Sequence, residues 1–178
     1  MRIYLLRHAS AEPRGKDERT DPSRKLTKPG IRKLRRVCLW LKSREGTLDE
    51  IMTSPYRRTF ETAEIVSEYF RKAELRISPI LLPEADPVKA AEALSRRPSR
   101  AVILCAGHEP FLGLLAGYLI FGEPRQAAQF KKSGLMRLTW DKPAPGGRGA
   151  RLDWFVTPKL VDDQESDEMF GEDDGRKL

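Results

Sequence analysis

The chain has 178 residues, 39% of them apolar and 33% charged, and a formal net charge of +7. That length suits one domain with a real core, and the polar composition excludes a membrane-embedded or low-complexity chain. Cys38 and Cys105 both lie in apolar stretches expected to be buried, which points to free thiols in a reducing compartment rather than a disulfide-stapled scaffold.

Arg2–Leu6 reads as a first strand that ends on Arg7 and His8. Its apolar run is too short for the core of a signal peptide, so a cytoplasmic location is expected. A long polar loop, 12–25, follows, carrying Arg14, Lys16, Arg19, Arg24 and Lys25; it is either a gate over a pocket or a solvated, mobile segment. Thr27 is a good N-cap for a helix over 28–42, in which Ile31, Leu34, Val37, Cys38 and Leu41 recur at helical spacing. Leu48–Thr53 is a short strand. The segment "SPYRRTFETAEIVSEYF" is a helix with Ser54 expected as its N-cap and Pro55 as its first residue. Leu75–Leu82 is a strand and Pro87–Arg96 a helix. "AVILCAG", 101–107, is a continuous apolar run of the kind needed by a strand buried on both faces. Phe111–Phe121 is a strongly apolar helix, about half the length of a membrane span, so no membrane partner is expected. Gly134–Trp140 and Arg151–Val156 are two further strands, joined by "DKPAPGGRG".

Strands alternating with helices predict an α/β, three-layer sandwich with a mostly parallel central sheet flanked by helices. Residues 1–160 are expected to form the one domain, and 161–178 an acidic, disordered tail. Within it, residues 162–178 hold eight acids and two bases, leaving +13 on the rest of the chain. So basic a body suits either an anionic partner or simple solubility, and net charge alone does not choose.

Ligands of open α/β sheets bind beyond the carboxyl ends of the strands. Three strand ends are informative: the first on Arg7 and His8, the second on "SPYRR", the fourth on "GHEP". The chain has two histidines, His8 and His108, and both fall at such ends. Two imidazoles and two guanidiniums converging on one point suit a tetrahedral dianion, because arginine presents planar, permanently charged, bidentate donors. A metal site is disfavoured: neither histidine has a Cys or carboxylate at ligand spacing, and arginines would repel a cation.

These residues carry a resemblance. "LLRHASAE" is similar to the signature of the histidine phosphatase superfamily, the phosphoglycerate mutase-like fold, with Ala9 where many members have glycine. "SPYRRTFETAEIV" resembles the family's second motif and "ILCAGHEPFLGLL" its third. "RKLTKPG" resembles the segment opening its first helix, and "LDWFVTPKL" the closing strand of its SixA-type branch. The resemblance covers 1 to about 160 and implies a phosphoglycerate mutase-like fold and a phosphatase without metal or other cofactor. It further implies that His8 is the nucleophile, phosphorylated during turnover, while Arg7, Arg58 and His108 hold the phosphoryl oxygens. Arg57 is then a flanking residue. Glu84, in "LLPEADP", falls where larger members carry an acid; it is either a proton donor or an ordinary loop carboxylate. Glu109 is expected to cap the helix that follows it. The branch implies a phosphorylated protein substrate, such as a histidine-containing phosphotransfer protein. The alternatives are a phosphomonoesterase for small metabolites and a non-catalytic basic module; no nucleic-acid-binding signature supports the latter.

Overall fold

The computed structural model describes residues 1–14, 18–141, 143 and 146–161. The elements run β1 (Arg2–Arg7), α1 (Lys28–Arg44), β2 (Glu50–Thr53), α2 (Arg57–Tyr69), β3 (Glu74–Ile77), α3 (Pro87–Ser95), β4 (Val102–Gly107), α4 (Phe111–Phe121), β5 (Leu135–Trp140) and β6 (Ala150–Val156). They build one six-stranded sheet in the order β3-β2-β4-β1-β5-β6. The first four strands of that order are parallel, and β5 and β6 close the far edge antiparallel. This is the expected α/β sandwich, and the acidic tail, 162–178, lies outside the described residues. Val161, at the end of a helical turn after β6, is buried in the core. Among the described residues no helix is long and apolar enough to cross a membrane.

Side chains alternate across a strand, and both faces of this sheet are covered. Ile3 and Leu5 pack with Ile103, Cys105 and the apolar sides of α3 and α4. Tyr4 and Leu6 pack on the other face with Leu104, Ala106 and the helices α1 and α2. The "AVILCAG" run is therefore apolar throughout because β4 has no solvent face. Each of its Val, Ile and Leu side chains, fully buried, contributes roughly 1.5–3 kcal/mol.

Three departures from the expected elements have a local physical reason, while other element ends shift by one or two residues. β3 stops at Ile77 because Pro79 has no N–H for a sheet ladder; Pro79–Leu81 turn instead into a short 3-10 helix. α2 starts at Arg57, with Tyr56 at the N-cap position and no side-chain cap, so Ser54 does not cap it. The polar loop holds a 3-10 helix over Glu18–Ser23, and its ends are joined by the Ala11–Leu26 bridge and the Glu12 N–H to Lys25 carbonyl bond of 2.9 Å. α1 begins as expected, the Thr27 hydroxyl accepting from the Gly30 N–H. Gly30 is needed there for space: a Cβ on it would lie 2.4 Å from the Ser10 carbonyl oxygen. The chain after β1 is thus pressed onto the start of α1.

Candidate active site

β1 and β4 are neighbours, yet the chain leaves β1 for α1 on one face and β4 for α4 on the other. Such a divergence opens a crevice at the carboxyl ends of the two strands. His8 follows β1 and His108 follows β4, and their ring centroids are 5.3 Å apart. The alternation of β1, carried one residue past its end, separates Arg7 from His8. His8 falls on the α2 side with Tyr4 and Leu6, and Arg7 on the α4 side with Ile3 and Leu5.

The first turn of α2 brings in Arg58, whose guanidinium spans both rings. Its Nε donates to His8 Nε2 at 3.2 Å, and its Nη2 lies 3.3 Å from His108 Nδ1. The Thr62 hydroxyl locks this arrangement: it accepts from the Ala9 N–H at 3.1 Å and donates to the Arg58 carbonyl at 2.7 Å.

The hydrogen bonds assign the histidine protons. His8 Nδ1 lies 2.8 Å from the Ala9 carbonyl, which can only accept, so Nδ1 carries the proton and Nε2 the lone pair. Arg58 Nη2 can only donate, so His108 Nδ1 carries the lone pair and its Nε2–H donates to the Ser54 hydroxyl at 2.9 Å. This is the work of Ser54 in place of capping α2. Its oxygen also accepts from the Tyr56 N–H at 3.3 Å. Both rings are buried, and burial is the main reason they stay neutral. The pKa of His8 is pushed down to about 2 by burial and then by Lys132, His108 and Arg58; the Ala9 carbonyl opposes them. That of His108 falls to about 3 through burial and then Arg58. The cations reinforce a shift that desolvation starts.

The pocket around them has a volume of about 320 Å³. Its walls carry Arg7, Arg14, Arg24, Arg58 and Lys132 against the carboxylates of Asp21, Glu84 and Glu109. Arg7 Nη1 donates to the Phe130 carbonyl, and its Nε is buried with no partner among the described residues. Glu84 is exposed on the pocket wall; after burial, its charge helps raise the Tyr56 phenol above its ordinary pKa. Arg57 instead pairs with Glu61 at 2.7 Å, one helical turn along α2. Glu109 does not cap α4. Its carboxylate accepts from the Phe130 N–H and the Gln126 amide, both at 2.9 Å, which fastens the segment after α4 beside the pocket.

Two pocket residues carry no motif in the sequence. Asp21, in the 3-10 turn of the polar loop, pairs with Arg58 at 3.1 Å and Arg24 at 2.8 Å, and its carbonyl accepts from Arg58 Nη1 at 2.8 Å. Burial would raise its pKa, but Arg58 and Arg24 hold it below the ordinary value. Lys132, just before β5, puts its ammonium 3.3 Å from His8 Nε2. Nothing local marks either one; only the antiparallel placement of β5 beside β1 puts the start of that strand at this end of the sheet. Lys16 and the side chain of Arg19 lie outside the described residues. Among the described residues no cluster of three His, Cys, Asp or Glu side chains is placed to hold a metal.

An α/β protein with a cation-walled pocket and two neutral imidazoles at its sheet's switch point belongs to the anion-handling class of doubly wound folds. Comparison with known proteins makes the class specific. Residues 3–82 match the family model of the Histidine phosphatase superfamily (branch 1). The chain is 26% identical over 161 residues to the phosphohistidine phosphatase SixA of Escherichia coli, spanning 89% of this chain and 94% of that one. It is 30% identical over 144 residues to an uncharacterised protein of Picosynechococcus, spanning 78% of this chain and 84% of the other. Among solved structures, a protein histidine phosphatase SixA complexed with tungstate superposes with a TM-score of 0.79 at 24% identity, covering 90% of this chain and 99% of that one. The putative SixA of Agrobacterium tumefaciens gives 0.72 at 22% identity, covering 88% and 97%. The chain belongs to the histidine phosphatase superfamily, is a homologue of SixA, and is a phosphatase.

Proposed function

We propose that this phosphatase removes the phosphoryl group from phosphohistidine on a protein, through an intermediate carried on His8 Nε2. The observation that carries the reading is the orientation of the His8 ring. Its proton is held away from the pocket by Ala9, and its lone pair faces the pocket among cationic donors. A neutral imidazole so fixed is a nucleophile at any pH above its depressed pKa.

In the first step the Nε2 lone pair attacks phosphorus. The P–N bond to the substrate imidazole breaks, and its electron pair goes to the departing ring nitrogen. Arg7 and Arg58 bind the phosphoryl oxygens and stabilise the charge on them as they pass through the transition state, and His108 joins them when the dianion draws a proton onto its Nδ1. With Nδ1–H kept on the Ala9 carbonyl, the phosphorylated His8 ring is cationic and a good leaving group. In the second step water attacks phosphorus, the P–Nε2 bond breaks with its pair returning to Nε2, and the water proton passes to solvent. A phosphoramidate leaving group needs less help from an acid than an ester oxygen, so Glu84 need not act as a strong donor. The SixA relative and the tungstate-bound SixA structure support the substrate class, since tungstate is a tetrahedral oxyanion like phosphate.

The test is phosphate release from a phosphorylated histidine-containing protein, beside a panel of small phosphomonoesters. The protein substrate is expected to be turned over faster, and His8→Ala to reduce turnover to background while its unfolding transition persists. An acid-labile phosphoryl label is expected on the wild type and not on the variant. A variant that still turns over would sink the mechanism, and preference for a small ester would replace the substrate.

A further inference from the structure

We propose that Lys132 is a catalytic residue: its ammonium binds an oxygen of the phosphoryl group as that group moves onto and off His8. This rests on the reading of His8 Nε2 as the attacking atom.

The geometry carries it. Lys132 Nζ lies 3.3 Å from His8 Nε2, and Arg58 Nε lies 3.2 Å from the same atom. Two cationic donors therefore share one lone pair. When that pair becomes a P–N bond, both donors lose their acceptor, and the phosphoryl oxygens arrive within reach of both. Arg58 remains tied to Asp21 through Nη1 and Nη2, whereas Lys132 has a long stem and three rotatable donors. Its hydrogen-bond partner is His8, and among the described residues no carboxylate lies within ion-pairing distance of it. Asp21 acts on this half-buried cation only as a charge beyond ion-pairing distance.

The backbone is arranged to deliver it. Ser133, the next residue, is buried with φ of 57°, in the left-handed region that side chains other than glycine seldom adopt. Its N–H bonds the Arg7 carbonyl at 3.2 Å, and the Arg7 N–H bonds the Gly134 carbonyl at 3.0 Å. The Gly134 N–H closes the turn on the Lys131 carbonyl at 2.8 Å. Upstream, Phe130 is held by Glu109 and Arg7. The turn that presents Lys132 is thus bonded to the same residues that present His8, and the cost of its backbone is met at the one place where the lysine reaches the nucleophile.

The choice of lysine has a consequence for pH. Burial, then Arg7, Arg58 and Arg24, push its pKa down to about 8, and the Asp21 carboxylate opposes them. The remaining groups facing the pocket are Arg14, neutral His8 and His108, the Tyr56 phenol, and the carboxylates of Glu84 and Glu109. A folded pKa below the ordinary 10.5 means the free enzyme starts to lose this cation as pH rises through about 8. A dianionic phosphoryl group at the site would restore it.

The experiment compares full-length wild type, Lys132→Met, Lys132→Arg and, as a control, Lys131→Met on the exposed neighbour. Tungstate affinity is measured by calorimetry, and kcat/KM on phosphorylated histidine protein is measured from pH 6 to 10 (about two units either side of the expected midpoint). Lys132→Met is expected to lower kcat/KM by roughly a hundredfold, the usual effect of removing one donor to transition-state charge, and to weaken tungstate binding. The wild-type fall in kcat/KM near pH 8 should vanish in Lys132→Arg, which keeps its charge throughout the range and should recover tungstate affinity. Lys131→Met should match wild type. Tungstate affinity in Lys132→Met within roughly threefold of wild type overturns the proposal, as does an alkaline fall that stays near pH 8 in Lys132→Arg. If Lys132→Met does not fold, the pH profile of the arginine variant still decides. Lys132-dependent tungstate binding in a wild type inactive on phosphohistidine would remove the substrate reading alone.

Discussion

At the amino ends of the parallel strands, buried Glu50 accepts from Arg97 at 2.8 and 3.1 Å and pairs with Arg76 at 3.1 Å. Nearby, buried Glu45 takes Arg2 at 2.8 Å and the Tyr4 hydroxyl at 2.6 Å. Every buried carboxylate there meets arginine, and the arginines reach solvent. At the carboxyl ends the balance is reversed. Arg58 is almost fully buried, both histidines are buried and neutral, and Arg7, Arg24 and Lys132 share the pocket with few carboxylates. One sheet thus carries charge pairs that serve the fold at one end and an excess of cations over carboxylates at the other, where Arg58 and Arg24 share Asp21. Buried charge left without a counter-ion is costly, so its presence marks the place where an anion belongs.

The contrast breaks first at Arg58. Arg58→Met should reduce kcat/KM by about 10²–10³-fold, the range for one lost donor to developing charge. It should cost little stability, because the loss of the Asp21 bonds is offset by removing a cation from among cations, and Asp21 keeps Arg24. Urea unfolding beside steady-state rates checks both halves. A variant that loses several kcal/mol of stability would make Arg58 a fold residue and erase the difference between the two ends.

Much of this difference is legible in the sequence, and the missing part has a physical reason. His8 and His108 can be placed because each follows an apolar run that only a buried strand explains. Arg58 can be placed because "SPYRR" follows another such run. Thr27 marks the start of α1, and the unbroken apolar pattern of 111–121 marks α4. Ser54 misleads, since a serine before a proline looks like a cap until His108 arrives from another strand to claim its hydroxyl. Glu109 misleads likewise, because the segment it bonds lies 17 to 21 residues downstream. Asp21 sits in a loop without periodicity. Lys132 depends on strand order, since β5 pairs antiparallel with β1 and no local pattern encodes that pairing. Local chemistry is readable from local sequence; chemistry assembled by sheet topology is not.

The histidines also tie the site to acid stability. Their folded pKa values, about 2 and about 3, lie below the ordinary 6.5, so the unfolded chain takes up protons that the folded chain refuses. The stability they permit is fully present above about pH 6.5 and falls as pH drops towards 3, with a slope approaching about 1.4 kcal/mol per pH unit for each ring. Asp21, with its pKa held below the ordinary 3.8, adds its own loss only further down. Urea midpoints from pH 7.5 to 4.5 (a window spanning the ordinary histidine value) should therefore decline in the wild type and decline less steeply in His8→Asn. Equal slopes would mean that His8 is not held neutral by the fold.

The smallest effect is expected at the opposite end, and it tests whether the two ends are separable. Glu50→Ala removes the carboxylate that Arg97 and Arg76 share. Those arginines are 29% and 49% exposed, so water can take over part of the lost bonding, and Arg76 keeps Glu74 at 2.7 Å. The loss should be about 2 kcal/mol, that of charge-assisted bonds replaced partly by solvent. Glu50 opens β2 and Thr53 closes it. Strand rise therefore puts Glu50 about 10 Å from the level of the pocket, with close-packed residues between. Activity per folded molecule should then equal that of the wild type at temperatures where both are folded. A fall in kcat/KM would mean that strain at the amino ends reaches the histidines along β2 and β4, and the paired charges there would have to be counted as support for the site.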